Sequence, residues 1–398
     1  MTNEIKNWKG NVSRFLTAQT ISLFGSSLVQ YAIVWYITLS TSSGKMLTIS
    51  TLCGFLPQIC ISLFAGVLID RYNRKYMIML ADTMIAGATL ALALAFMSGY
   101  RNIWFLFAAL VVRSAGTGVQ TPAVNAVIPQ MVPKEQLMRI SGINSTLSSL
   151  TMFLAPAASG ALMAAAPLEF ALLIDVATAV AGVGITAFVR VRPYERRGDK
   201  AVSAVEELRA GFAYLRGSRF VKCLLMFQIT VLFLISPSAF LTPLIVSRTF
   251  GPEVWRLTAS EMTYSLGMVA GGLLITAWGG FEKRLKTTLL AGAVYGGIMI
   301  GLGMAPVFWI YLIFNLCIGI TAPCYNSPIT VSIQERVEPE MHGRVFSLMQ
   351  ISTSCALPLG MVFFGPMADL LPIKWLLAAA GTTVLLVSAL VWRMKWLE

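Results

Sequence analysis

Twelve long apolar runs, most of them parted by only a few polar residues, constrain this chain more than any motif in it. They cover about residues 15–39, 46–69, 76–99, 103–128, 140–166, 168–190, 220–247, 258–279, 286–304, 307–332, 345–370 and 373–394. A helix that crosses about 30 Å of hydrocarbon needs about 20 apolar residues at a rise of about 1.5 Å each. Every run is close to that length or longer. Only 12% of the 398 residues are charged, against about a quarter in soluble domains, so there is too little polar material to coat a water-soluble globule. The solvent for most of the chain is therefore lipid. In lipid an exposed backbone must satisfy its own hydrogen bonds, and the expected fold class is an all-α polytopic membrane protein with twelve transmembrane helices.

Charge gives the expected orientation. If both chain ends and every second loop share one side, that side holds 24 of the 30 Lys and Arg residues. The other side holds Lys45, Arg101, Arg248, Arg256 and Lys374, and Arg113 falls inside a run. Basic residues favour the cytoplasm, which predicts cytoplasmic termini and a multi-pass protein of the plasma (inner) membrane. The net charge of +12 is then a topology signal, and no nucleic-acid partner is expected. The first ten residues are polar and the first run is too long for the core of a cleavable signal, so a retained first helix is expected.

Residues 192–218 are the longest charged stretch, and Val205, Leu208, Phe212 and Leu215 share one helical face there. The spacing predicts a short amphipathic cytoplasmic helix linking two bundles, residues 1–191 and 219–398. The halves resemble each other. "GVQTPAVN" (118–125) matches "GITAPCYN" (319–326), with Gly118, Pro122 and Asn125 answering Gly319, Pro323 and Asn326 at an offset of 201. "VPKEQLMR" (132–139) answers "VEPEMHGR" (337–344), and Pro156 answers Pro358. An internal duplication into two pseudo-symmetric six-helix bundles, with a site near the membrane midplane, is a transporter architecture.

Between the second and third runs lies "GVLIDRYNRK". Gly66, Leu68, Asp70, Arg71, Arg74 and Lys75 resemble the signature loop of the major facilitator superfamily. Asn73 stands at the usual glycine, and Asn tolerates the same left-handed backbone. "GFLPQ" (54–58), "RSAGTGVQTPAVNAVIP" (113–129), "LLIDVATAV" (172–180) and "GRVFSL" (343–348) extend the likeness to its macrolide-efflux branch. Siderophore exporters and lysophospholipid transporters share parts of the pattern.

The resemblance implies that Asp70 meets the N-terminus of the eleventh helix near Arg344, with Arg71, Arg74 and Lys75 alongside, as a cytoplasmic latch. A carboxylate gains from a helix N-terminus and from an arginine. The matching loop of the second half, "WGGFEKRLK" (278–286), lacks the acid, and a weaker latch is expected there. "APAASG" (155–160) partly resembles the antiporter motif of the fifth helix; Pro156 and Gly160 fit, whereas Ala155 and Ser159 depart from it.

Ionised groups at mid-membrane cost at least about 2.5–3.5 kcal/mol, so they face a cavity or a partner. Arg113 is the clearest case, and "RSAGTG" resembles the family's proton-linked arginine motif. Asp82, Asp175 and Glu261 are its candidate acids for proton coupling, and the choice among them stays open. Uncharged polar and aromatic groups on the expected cavity helices suit a bulky amphipath: Gln30, Tyr31, Trp35, Phe55, Gln58, Gln120, Asn125, Asn144, Gln228, Asn315, Tyr325 and Asn326. Aromatics at helical spacing are also ordinary packing groups.

Enzyme readings find little support. The one histidine, His342, sits in a turn, no phosphate-binding loop of the G-x-x-x-x-G-K-[ST] type occurs, and the six cysteines have no acid or histidine partners in sequence. No cofactor and no metal are expected, with a proton gradient as the driving force. The expected function is export of a hydrophobic, macrolide-like drug by proton antiport with alternating access. Export of an endogenous amphiphile, a lysophospholipid or siderophore, is the alternative, and a non-transporting sensor or scaffold is the alternative of another class. The expected partners are the bilayer and a small hydrophobic substrate. The chain is expected to act as a monomer, with an ATP-binding partner left open.

Overall fold

The computed structural model describes residues 8–191, 217–338 and 341–393, without the side chains of residues 63, 66–68, 70, 71 and 134. The described residues form twelve long helices: α1 (Trp8–Thr41), α2 (Gly44–Arg71), α3 (Arg74–Met97), α4 (Ile103–Met131), α5 (Leu137–Ala165), α6 (Leu168–Ala187), α7 (Arg219–Phe240), α8 (Val254–Trp278), α9 (Arg284–Gly303), α10 (Phe308–Arg336), α11 (His342–Leu370) and α12 (Ile373–Trp392). A 3-10 turn, Lys134–Gln136, precedes α5, and a short helix, Thr242–Thr249, follows α7. Eleven of the twelve are long and apolar enough to cross a membrane. The remaining one, α8, has 25 residues but carries Arg256, Ser260, Glu261 and Thr263 in its first half.

The helices start and stop where side chains replace missing backbone partners. Asn102 accepts from the backbone N–H of Trp104 at 3.0 Å, and Ser218 accepts from Val221 at 3.3 Å. Each satisfies an orphan donor of a helix start. Asn73 does the same for α3, accepting from Lys75 at 3.0 Å. Its φ of −64° with ψ of 116° is extended backbone, which corrects the expected left-handed turn: Asn73 serves as an N-cap. Two boundaries also move. The first helix is already formed at Trp8, the first described residue, and continues through Lys9, Asn11 and Arg14 where an apolar criterion stops. The run 220–247 breaks at Leu241, with Pro237 inside α7 and Pro243 opening the short helix. The amphipathic linker helix expected at 192–218 falls almost wholly outside the described residues.

Two compact units emerge. One holds residues 1–40 and 49–199, the other 41–48 and 200–398. The turn between α1 and α2 thus belongs with the second unit, although both helices lie mainly in the first. Within the first unit α3 packs on α4 and α6; within the second α9 packs on α10 and α12. The repeated glycines do the same work in both. A Cβ on Gly118 of α4 would meet the carbonyl oxygen of Gln58 in α2 at 2.8 Å, and one on Gly319 of α10 would meet that of Tyr264 in α8 at 2.3 Å. Small residues let helix backbones approach this closely where lipid gives no hydrophobic drive to association.

The α8–α10 contact is the tightest of these, because Gly267 and Gly319 face each other. A Cβ on either would lie 2.9 Å from the other's Cα, and the remaining neighbours are also backbone. Backbone cannot rotate aside, so Gly319→Ala is expected to cost about 1–3 kcal/mol. A thermal unfolding curve in detergent reads this as a lowered midpoint. Gly297→Ala, where a Cβ meets nothing within 4 Å, is expected to leave the midpoint in place.

Candidate functional site

The first unit carries its polar groups in two tiers, one repeat apart on the same helix faces. Asp82 and Thr89 are seven residues apart on α3, Arg113 and Gln120 seven apart on α4, and Ser22 and Ser26 four apart on α1. Such spacings place each pair on one side of its helix, up to about 10 Å apart along it. Gly25 and Gly182 allow α1 and α6 to meet: a Cβ on Gly25 would overlap Thr178, and one on Gly182 would lie 3.1 Å from the carbonyl oxygen of Ala18. That approach brings Ser26 to Asp175.

The upper tier is a closed ion pair. Arg113 donates to a carboxylate oxygen of Asp175 and to the Thr89 hydroxyl, and reaches the Ser26 carbonyl at 3.0 Å. Asp175 also accepts from the Ser26 hydroxyl at 3.1 Å and from Thr89 at 2.9 Å. Arg113 is 4% exposed and Asp175 0%. A charge pair this dry holds only with good geometry and its remaining polar groups satisfied; four helices fill both Asp175 oxygens and two of the three Arg113 nitrogens, and Arg113 Nε alone has no partner among the described residues. Arg113 therefore takes Asp175 as its partner among the three acids considered.

The lower tier is unfinished. Asp82, 2% exposed, accepts at Oδ1 from the Ser22 hydroxyl at 3.2 Å and from the Gln120 amide. Its Oδ2 has no hydrogen-bond partner among the described residues. These two buried carboxylates thus differ: among the described residues one is neutralised by a guanidinium and the other is held only by neutral donors. Glu261 of α8 is half-buried and has neither an ion-pair nor a hydrogen-bond partner among the described residues. The Ser22, Ser26 and Thr89 hydroxyls escaped the sequence reading. Their only signal was small polar residues at helical spacing beside Gly25.

At the α2–α3 turn the side chains of Asp70 and Arg71 lie outside the described residues, so the Asp70 half of the expected latch is not seen. Arg74 donates to the Ala126 carbonyl of α4 at 2.8 Å, and Lys75 to the Ala187 carbonyl at the end of α6 at 2.6 Å. The Lys75 contact puts a cation where a helix leaves its last carbonyls unpaired. Arg344 is exposed and donates to the Met341 sulfur at 3.1 Å. In the second half, Arg284 reaches Glu335 at 3.3 Å, and Gly279 and Gly280 both take φ of 75°. His342 places a ring nitrogen 2.8 Å from the Val337 carbonyl, joining α11 to the end of α10.

The aromatic and amide groups divide into two sets. Trp35, Gln228, Asn315 and Tyr325 are buried inside their own units. Gln228 donates to Thr353 at 3.1 Å, Asn315 to the Ser260 carbonyl at 2.6 Å, and Tyr325 lies in an apolar cluster beside Phe227. Gln30, Tyr31, Gln58, Gln120 and Asn144 are half-buried, while Phe55, Asn125 and Asn326 are exposed.

One charged cluster had no forewarning. Asp369, at the end of α11, accepts from the backbone N–H groups of Gly44 at 2.7 Å and Lys45 at 2.9 Å. It also accepts from the Ser43 hydroxyl at 2.8 Å and from Arg248 at 2.7 Å. All of these residues belong to the second unit.

Comparison with known proteins agrees with this architecture. Residues 15–357 match the family described as Major Facilitator Superfamily. The chain is 31% identical to Macrolide efflux protein A of Streptococcus pyogenes over 388 residues, 96% of this chain and 95% of that one. It is 32% identical to a protein of the same name from Enterococcus faecalis, over 80% of this chain and 99% of that one. The crystal structure of the nucleoside transporter NupG superposes with a TM-score of 0.73 at 12% identity, over 98% of this chain and 100% of that one, a likeness of fold alone.

Proposed function

This chain belongs to the Major Facilitator Superfamily, and on that premise we propose that it exports macrolide-like amphipathic drugs in exchange for protons, by alternating access. It is a transporter rather than an enzyme. The near full-length likeness to Macrolide efflux protein A carries the substrate class. The 24 basic residues on the side of the chain ends support a cytoplasmic location for both termini.

The two-tier network supports the proton part. Arg113 and Asp175 neutralise each other and form the fixed frame of the first unit. Asp82 has no cation beside it among the described residues, so a proton is the counter-charge available to it in a dry membrane interior. Ser22 and Gln120 hold Oδ1 in either state, and Oδ2 is the atom that takes and gives up the proton. With the proton bound, the group is neutral and stays buried. With the proton lost, it must meet water or a partner, and that requirement ties the charge to a change of conformation.

Labelled macrolide accumulation in cells tests the reading. Expression is expected to lower accumulation several-fold, and a protonophore to restore it. Unchanged accumulation of every macrolide tried would remove the drug reading.

A further inference from the structure

We propose that Asp369 is the positioning residue of a clasp that holds the α1–α2 turn in one transport state and releases it in the other. The inference rests on the alternating-access reading above. Two elements share the cap of α2. The first backbone N–H groups of α2 need acceptors, and a residue just before the helix normally supplies one. Ser43 is in that position: its hydroxyl accepts from the Met46 N–H at 3.4 Å and donates to Asp369. The carboxylate of α11 completes the cap, accepting from the N–H groups of Gly44 and Lys45. A negative charge at a helix N-terminus is also favoured by the helix dipole.

Arg248, from the short helix after α7, closes the other side. It bonds Asp369 at 2.7 Å, the carbonyl of Ala368 at 2.5 Å and the carbonyl of Ser42. Ser42 has φ of 47°, a left-handed conformation that a non-glycine residue keeps only when its surroundings hold it there. The backbones also interlock. A Cβ on Gly44 would lie 2.1 Å from the Gly365 carbonyl oxygen, and one on Gly365 would lie 1.8 Å from the Thr48 hydroxyl.

Two features make this a releasable fastening. First, residues 41–48 pack with the second unit while the bodies of α1 and α2 pack with the first, so any movement of those helices loads this turn. Second, the charges are partly open to solvent. The side chains of Arg248 and Asp369 are 29% and 18% exposed, against 5% and 0% for Arg113 and Asp175. Water can reach the partners of a partly exposed pair and compete for them, whereas it cannot reach the buried one. The same polar chemistry thus serves as a permanent frame in the interior and as a reversible catch at the helix ends.

Spin labels on Ser40→Cys and Lys374→Cys, both exposed positions, test this in protein freed of its native cysteines and without drug. Asp369→Ala is expected to move at least half of the distance distribution to longer values. Asp369→Glu is expected to restore the parent distribution, which a merely structural loss would not do. If Asp369→Ala fails to fold, Arg248→Ala is expected to shift the distribution the same way. A distribution unmoved by either variant overturns the clasp, and in a protein that still lowers macrolide accumulation that failure leaves the export reading intact.

Discussion

Replacing Arg113 with alanine is expected to destabilise the protein by about 3–5 kcal/mol, the cost of removing one member of a buried ion pair. The loss comes less from the bond than from what remains. Asp175 keeps 0% exposure and would hold an unpaired charge, supported only by the Ser26 and Thr89 hydroxyls. Removing both charges at once has a different sign of argument. In Arg113→Met with Asp175→Leu no charge is stranded, and apolar groups of similar volume often replace a buried pair without loss. The double variant is expected to recover most of the stability. Unfolding midpoints in detergent for the parent, both single variants and the double variant give the coupling energy directly. A single Arg113 variant as stable as the parent would show that the pair does not hold the four helices together.

Asp82→Asn is expected to separate function from stability. Asparagine keeps an acceptor at Oδ1 for Ser22 and Gln120, and Oδ2 has no partner to lose. The stability change should stay within about 1 kcal/mol, the scale of one hydrogen bond. Gradient-driven export should fall more than tenfold, because an amide cannot carry a proton. Drug binding should persist. Asp82→Asn with undiminished uphill export would remove Asp82 from the coupling step and leave Glu261 as the acid to test. Asp175→Asn should instead resemble the loss of Arg113, with stability and transport falling together.

The contrast between these two acids also shows what a linear sequence can convey. Twelve crossings are legible because hydrophobic length is a local property, and the repeat is legible because Gly118 and Gly319 recur at a fixed offset. Which acid pairs with Arg113 is not local. It depends on α1, α3, α4 and α6 meeting through Gly25 and Gly182, and nothing in the order of residues says that Ser26 faces Asp175. The same limit hid Asp369, which is 325 residues from the Gly44 N–H that donates to it. The "GVLIDRYNRK" motif draws attention to the opposite end of α2, and nothing in the sequence singles out an acid at the end of α11. The expected break-free helix at 220–247 failed for a nearer reason: Pro237 and Pro243 remove backbone donors where the apolar run continues.

Proton movement caused by drug tests the central claim most directly. Purified protein is placed in vesicles containing a pH-sensitive dye, and a macrolide gradient is imposed without any starting pH difference. The account predicts that macrolide flowing one way drives protons the other way, with a rate proportional to protein and absent from Asp82→Asn. Macrolide flux with no accompanying pH change, or an equal pH change in Asp82→Asn, would contradict it.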